Sequence, residues 1–282
     1  MTPHLLQLIQ GFGLQVAKDV VWLVLLTAIF APLEALFALR KTPGRLRTAP
    51  ADVAYYFLNA ILPLALLALP LAVVAAGVQA VTPRAYAEAV AGLPFGVRLV
   101  AALAVSEIGG YWGHRWCHEV PFLWRFHVIH HASEHVDWLI SSRAHPVDQV
   151  FEKLCALTPL YILGLVQPTA QGAGLAAFVA IFGTLWGFFI HANVGWRLGP
   201  LEWLVSTPAF HHWHHTNDEH RDRNYSALFP MVDRLFGTHH LPREWPTRYG
   251  VDAPQPARMA DQLLEPFAPP RRRPLASKTD TA

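Results

Sequence analysis

Sixteen of the 282 residues are histidine, and most of them fall into three short boxes. His114-Arg-Trp-Cys-His118 places two imidazoles at i and i+4, and His127-Val-Ile-His130-His131 places three at i, i+3 and i+4. His211-His212-Trp213-His214-His215 repeats that second spacing with His212 as an extra member. On a helix, positions three and four apart are neighbours on one face, so each box aims its rings at one place. Imidazole suits iron, zinc and copper. Eight imidazoles exceed the three or four that a single tetrahedral zinc takes, so two metal ions are the economical account. Aromatic-flanked histidines also serve as anchors at a membrane interface, but three boxes at ligand spacing are hard to obtain that way. His4, His135, His220, His239 and His240 stand outside the pattern and read as surface or hydrogen-bonded residues.

Glu107 lies one turn before Tyr111 and two before His114, so Glu107, Tyr111, His114 and His118 share a helix face. An ionisable group inside an apolar span is costly and marks function. The expected role is to accept the free ring N–H of a ligating histidine; the competing reading is a carboxylate that pairs helices.

Something must hold these boxes together, and the composition says what. The chain is 53% hydrophobic and only 15% charged, against about 25% charged for an ordinary soluble domain. A lipid-facing, all-α chain follows. A net charge of +2 gives no reason to expect nucleic acid, and Cys117 and Cys155 cannot form a disulfide framework. Met1 to Asp19 is mildly amphipathic and lacks the pattern of a cleaved leader. Val20 to Leu39 and Val53 to Val78 are each long enough to span about 30 Å of hydrocarbon, the second interrupted by Pro63 and Pro70. Phe95 to Gly113 is a third span, and 154–190 reads as a helical hairpin turning at Gln167 to Gly172. The organisation is therefore membrane helices over 1–94, a histidine-rich catalytic region over 95–249, and a disordered Pro/Arg-rich tail over 250–282. Arg40, Lys41, Arg45 and Arg47 crowd the first loop, whereas 79–94 carries only Arg84. By the positive-inside rule the first loop is cytoplasmic and the N-terminus outside. Three spans and a hairpin then deliver every box to the cytoplasmic face as a helical cap. Pro121 should end one helix and start the next.

In that setting the motifs resemble a known family. Glu107-x-x-x-Tyr111-x-x-His114-Arg-x-x-His118, Pro121-Phe-Leu-Trp-Arg-Phe-His127-x-x-His130-His131, Arg143-x-His145-Pro146, Thr207-Pro208-x-Phe-His211-x-x-His214-His215, Asn224-Tyr225 and Asp233-Arg-Leu-Phe-Gly-Thr238 are similar, in order, to the fatty acid hydroxylase and sterol desaturase superfamily. The resemblance implies a membrane di-iron oxygenase holding two Fe ions, with Zn as a substitute in purified protein. It adds His191, in Phe188-Phe-Ile-His191-Ala-Asn193, to the ligand set His114, His118, His127, His130, His131, His211, His214 and His215. Glu107, Tyr111, Arg143 and Asn193 would form the surrounding shell, with His145 shaping the site or, less favoured, ligating. Glu107 stands where aspartate is expected, His212 where a basic or polar residue is usual, and Val232 where tryptophan is frequent.

The implied reaction is O2-dependent hydroxylation or desaturation of a lipid C–H bond, fatty acyl, sterol or related. The protein would sit in a bacterial inner membrane and draw electrons from an external ferredoxin or b-type cytochrome with its reductase. Other readings fit less well. A membrane zinc hydrolase needs a general base beside its ligands, as in HExxH, and His118-Glu119 lacks the second histidine. A metal transporter needs ionisable residues along its spans, which hold Glu34, Arg98, Glu107 and little else.

Overall fold

Length and apolar content, rather than amphipathic periodicity, decide the first two helices. The computed structural model describes residues 2–43, 45–166 and 170–268. Helix α1 (Pro3–Phe37) starts at Thr2, whose hydroxyl accepts the Leu5 N–H. It runs unbroken through the stretch expected to precede the first span. Helix α2 (Arg45–Val81) continues through Pro50, Pro63 and Pro70. Both are long and apolar enough to cross a membrane, and less than a fifth of each apolar window is buried (17% and 12%). In water such exposed surface would be unfavourable at about 25 cal/mol per Å2; in lipid it is the expected state.

The polar stretch after α2 folds as α3 (Arg84–Ala91), which meets α4 (Phe95–Glu119) at 107°. The pair counts as a third candidate span only if the bent helices are one crossing. Helix α4 carries Glu107 and the first box on one continuous helix. It stops as expected: Val120 caps it, and Pro121 opens α5 (Pro121–His131) at the position where its missing N–H costs nothing. Then come α6 (Pro146–Ile162), α7 (Ala170–His191), α8 (Pro208–His214), α9 (Pro230–Phe236) and α10 (Met259–Leu264). No strand occurs among the described residues; two isolated bridges join Ala38 to Val194 and Thr216 to Tyr249. Of the turn expected at Gln167 to Gly172, residues 167–169 lie outside the described residues, and 170–172 already belong to α7.

Helices α4 and α6 approach closely because Gly109 and Gly113 face Cys155. A Cβ at Gly109 would overlap the Cys155 carbonyl, and one at Gly113 would sit 2.8 Å from the Cys155 Cβ. Leu160, Leu165, Leu175 and Val179 then pack around Ala102. A second cluster joins Leu26 and Phe30 of α1, Tyr56 of α2, Trp138 and Phe188 of α7. Polar bonds fix its upper edge. Glu34 Oε1 accepts the backbone N–H of both Trp138 and Asn193 at 2.8 Å, while its other oxygen meets Arg45 at 2.9 Å.

The tail differs from expectation. Residues 251–268 are not a structureless run. Gln262 of α10 accepts from the Tyr55 hydroxyl at 2.8 Å, and Phe267 packs against Phe126 and His145. Apolar and amide side chains among the prolines supply these anchors. Pro269 onward, including the Arg271–Arg273 run, lies outside the described residues.

Candidate metal centre

Nine histidines from α4, α5, α7 and the α8 segment converge into two groups. His114, His118, His127, His131 and His214 form one; His130, His191, His211 and His215 form the other; within each group the ligand atoms lie within 4.8 Å of one another. Metal–imidazole bonds of about 2.0–2.1 Å place opposite ligand nitrogens about 4.2 Å apart, so these spacings are close to those of a coordination sphere. Helical geometry explains the sorting. Residues i and i+4 of a box share a face, and i+3 lies to its other side. Thus His127 and His131 enter the first group and His130 the second, whereas His211 and His215 enter the second and His214 the first. The groups share a wall, where the His131 and His215 rings stack at 4.5 Å.

Six of the nine rings are oriented from behind. His114 Nδ1–H donates to the Tyr225 carbonyl (2.8 Å), His130 to that of Arg143 (3.1 Å), His191 to that of Gly187 (2.6 Å) and His214 to that of Arg223 (2.8 Å). Two rings meet carboxylates instead: His127 Nδ1 lies 3.0 Å from Asp148 and His118 Nδ1 3.1 Å from Asp222. A carbonyl can only accept, so Nδ1 carries the proton and Nε2 of a neutral ring is a bare lone pair. In the first group the Nε2 atoms of His114, His118, His127 and His214, and both nitrogens of His131, are buried without a hydrogen-bond partner in the protein. In the second, Nε2 faces Nε2: His130–His191 at 3.2 Å, His191–His211 at 2.9 Å and His211–His215 at 3.2 Å. For His130 and His191 this sets lone pair against lone pair.

An unsatisfied buried polar group costs about 1–3 kcal/mol, so such a cluster needs a cation. Protons are disfavoured. Burial first, then the neighbouring His114, pushes His127 down to about 3. Burial, followed by the adjacent rings, holds His130, His131, His211, His214 and His215 well below the usual imidazole range. A donor set of neutral imidazoles with free Nε2 fits divalent iron or zinc.

The expected outer residues are placed less directly. Glu107 is not bonded to a histidine: its Oε1 accepts the backbone N–H of Leu228 (2.7 Å) and Phe229 (3.0 Å). It thereby fixes the loop that offers the Tyr225 carbonyl to His114, one step further out than expected. Tyr111 is bonded to Thr238 (2.9 Å) and stacks on Phe236. Arg143 contributes through its carbonyl, while its guanidinium points 3.5 Å from Asp52. Asn193 clamps the Arg40 backbone, accepting its N–H and donating to its carbonyl. His145 is excluded as a ligand, because Nδ1 accepts the Val147 N–H (3.0 Å) and Nε2–H donates to Leu263 (3.1 Å). It caps α6. His212 stands outside both groups, its Nε2 3.1 Å from the Ala192 carbonyl and its Nδ1 2.8 Å from the Tyr249 hydroxyl.

Asp148 and Asp222 escaped the sequence reading, since neither lies in a histidine box. Asp233 explains its own motif: it accepts from Tyr225 N, Ser226 N and the Thr238 hydroxyl at 2.7–2.9 Å, shaping the same loop.

An all-helical architecture with two or three candidate spans and paired histidine groups defines a class of membrane histidine-box proteins. The chain belongs to the fatty acid hydroxylase and sterol desaturase superfamily, whose fatty acid hydroxylase family model matches residues 99–238. It is 34% identical over 189 residues to the ornithine lipid hydroxylase OlsE of Rhizobium tropici, covering 66% of this chain and 55% of that protein. It is 33% identical over 149 residues to alkylglycerol monooxygenase of Danio rerio (52% of this chain, 31% of the relative). It is also 31% identical over 135 residues to Delta(7)-sterol 5(6)-desaturase ERG3A of Gibberella zeae (48% and 35%). The chain thus matches about half the length of the first relative and about a third of the others. No solved structure matches it.

Proposed function

We propose that the protein is a membrane-bound oxidoreductase that hydroxylates or desaturates a C–H bond of a lipid, using two iron ions held by the nine histidines. The observation that carries this reading is the convergence of buried imidazoles, six of the nine already tied off at Nδ1 so that Nε2 is left facing inward. His114, His118, His127, His131 and His214 would hold one ion, and His130, His191, His211 and His215 the other. Iron at such a centre supplies reductive use of O2: one oxygen atom goes to the C–H carbon and the other leaves as water, with two electrons and two protons drawn from outside. In desaturation both oxygen atoms leave as water and a second hydrogen is lost.

The chain's own part is positional. Tyr225, Arg223, Arg143 and Gly187 carbonyls keep four rings neutral and aimed inward. The apolar bundle beneath excludes water and gives a lipid chain lateral access. Zinc hydrolysis is less well supported, because among the described residues neither histidine group holds a carboxylate, and the neighbouring Asp148, Glu152 and Asp222 lie behind the rings on their Nδ1 side. The relatives named above are a hydroxylase, a monooxygenase and a desaturase, which supports oxidation of a lipid as the reaction. An external one-electron donor, ferredoxin or b-type cytochrome, completes the stoichiometry. We place the histidine groups on the cytoplasmic side of the membrane, with three crossings before the first box, on the strength of the basic first loop. Cysteines introduced at Thr42 and Ala87 should then label from opposite sides; labelling from one side refutes this topology.

Lipid profiling of cells with and without the gene product tests the reaction. A lipid species that gains one oxygen or loses two hydrogens, and reverts with His127→Ala and His214→Ala, is the expected result. An unchanged profile with active expression overturns it.

A further inference from the structure

The two histidine groups are not backed alike, and we infer that Asp148 and Asp222 make the five-histidine subsite the tighter of two unequal metal sites. The inference rests on the ligation proposed above. In the first group His127 Nδ1–H donates to Asp148 Oδ2 (3.0 Å) and His118 Nδ1–H to Asp222 Oδ1 (3.1 Å). In the second, His130 and His191 donate only to carbonyls, of Arg143 and Gly187, and among the described residues no carboxylate bonds any ring of that group. Asp148 is itself held: its Oδ1 accepts from the Cys117 thiol at 3.3 Å, and its side chain is 1% exposed. A carboxylate behind an imidazole fixes ring orientation and raises the basicity of the other nitrogen. Two anions beside the first group also offset the charge of a bound dication in a dry setting, where electrostatic interactions are least screened. The second group has no carboxylate bonded to a ring: the nearest anion acting on it, Asp137 on His191, does so at longer range and is paired with Arg45. Both acids are positioning residues, since neither reaches the metal-facing nitrogens.

Asp148 should contribute more than Asp222, whose side chain is 58% exposed and therefore screened. Loss of such a partner typically lowers metal affinity about 10- to 100-fold. We expect Asp148→Asn towards the upper end of that range and Asp222→Asn towards the lower.

The test is graded chelator challenge of the metal-loaded, full-length protein in detergent, with metal remaining per chain read by mass spectrometry. Wild type should release its two ions in separate steps. His191→Ala should delete the early step and His127→Ala the late one. Asp148→Asn and Asp222→Asn should move the late step to weaker chelation, leaving the early step in place. If Asp148→Asn does not fold, Asp222→Asn at its exposed position carries the test. Simultaneous release of both ions in wild type, or a late step unmoved by Asp222→Asn and by any folded Asp148→Asn, overturns the inference. Fewer than two ions at the outset, or histidine variants that keep both steps, would instead overturn the ligation on which it rests.

Discussion

Adjacent histidines, His211 and His212, separate ligation from support. The family resemblance, in which this position is usually basic or polar, implies that His212 tolerates asparagine or arginine. The structure gives it a different duty. It is fully buried, packs edge-on against Trp245 and Tyr249 at 5.5 Å, and bridges the Ala192 carbonyl to the Tyr249 hydroxyl. His212→Ala leaves the buried Tyr249 hydroxyl unpaired, whereas the Ala192 carbonyl keeps the Val194 N–H at 2.8 Å, so a loss of roughly 1–3 kcal/mol is expected. At roughly 2–4 °C per kcal/mol for a catalytic region of this size, the melting temperature should fall by roughly 2–12 °C. His212→Arg should be at least as harmful, because a buried guanidinium would arrive close to Arg40. Metal per chain should stay near that of wild type in any folded His212 variant. His211→Ala removes instead the Nε2 that lies 2.9 Å from His191 and 3.2 Å from His215, and should reduce two ions to about one. Thermal scanning with elemental analysis of the same preparations decides the matter. A His212→Ala protein that melts like wild type, or a His211→Ala protein that keeps both ions, would refute the assignment.

The neutral state of His212 also sets a pH dependence. Burial pushes this imidazole down to about 3, against about 6.5 when unfolded. Its contribution to stability is therefore complete above pH 6.5 and lost as pH falls from there towards 3. Stability should decline on acidification, and His212→Ala should make the decline shallower by about 1.4 kcal/mol per pH unit around pH 5, the weight of one proton. Equal slopes in melting temperature against pH would contradict this. Gly109→Ala should separate α4 from α6, costing about 1–3 kcal/mol by overpacking, while Gly110→Ala, whose Cβ would meet only the Ala156 Cβ at 3.9 Å, should be tolerated; paired thermal melts distinguish them. Glu107→Gln retains an acceptor for the Leu228 and Phe229 amides and should keep metal nearly as wild type. Glu107→Ala leaves both amides bare and should unfold the loop behind His114, detectable as faster proteolysis near Tyr225.

Ligands proved more legible in the sequence than their supports, and the reason is physical. A box at i, i+3 and i+4 carries its geometry within one turn of helix, so the spacing of His127, His130 and His131 already states where the rings go. Hydrophobic length does the same for α1 and α2, because a span is a property of one segment. Supports are non-local. His118 and Asp222 are 104 positions apart, as are Glu34 and Trp138, and no periodicity links such pairs. Glu107 shows the limit most clearly: sharing a helix face with His114 and His118 suggested a bond to a histidine. A carboxylate takes whichever donors come within reach, however, and the loop after Tyr225 brought two backbone amides to it. The same loop answers to Asp233 through two further bonds, from the Tyr225 and Ser226 amides, so Glu107 and Asp233 hold opposite ends of one short segment that offers the Tyr225 carbonyl to His114 and packs the Tyr225 ring against His114, His118 and His214. Their acidic character thus reaches the metal centre through backbone geometry, whereas that of Asp148 and Asp222 reaches it through the imidazole rings.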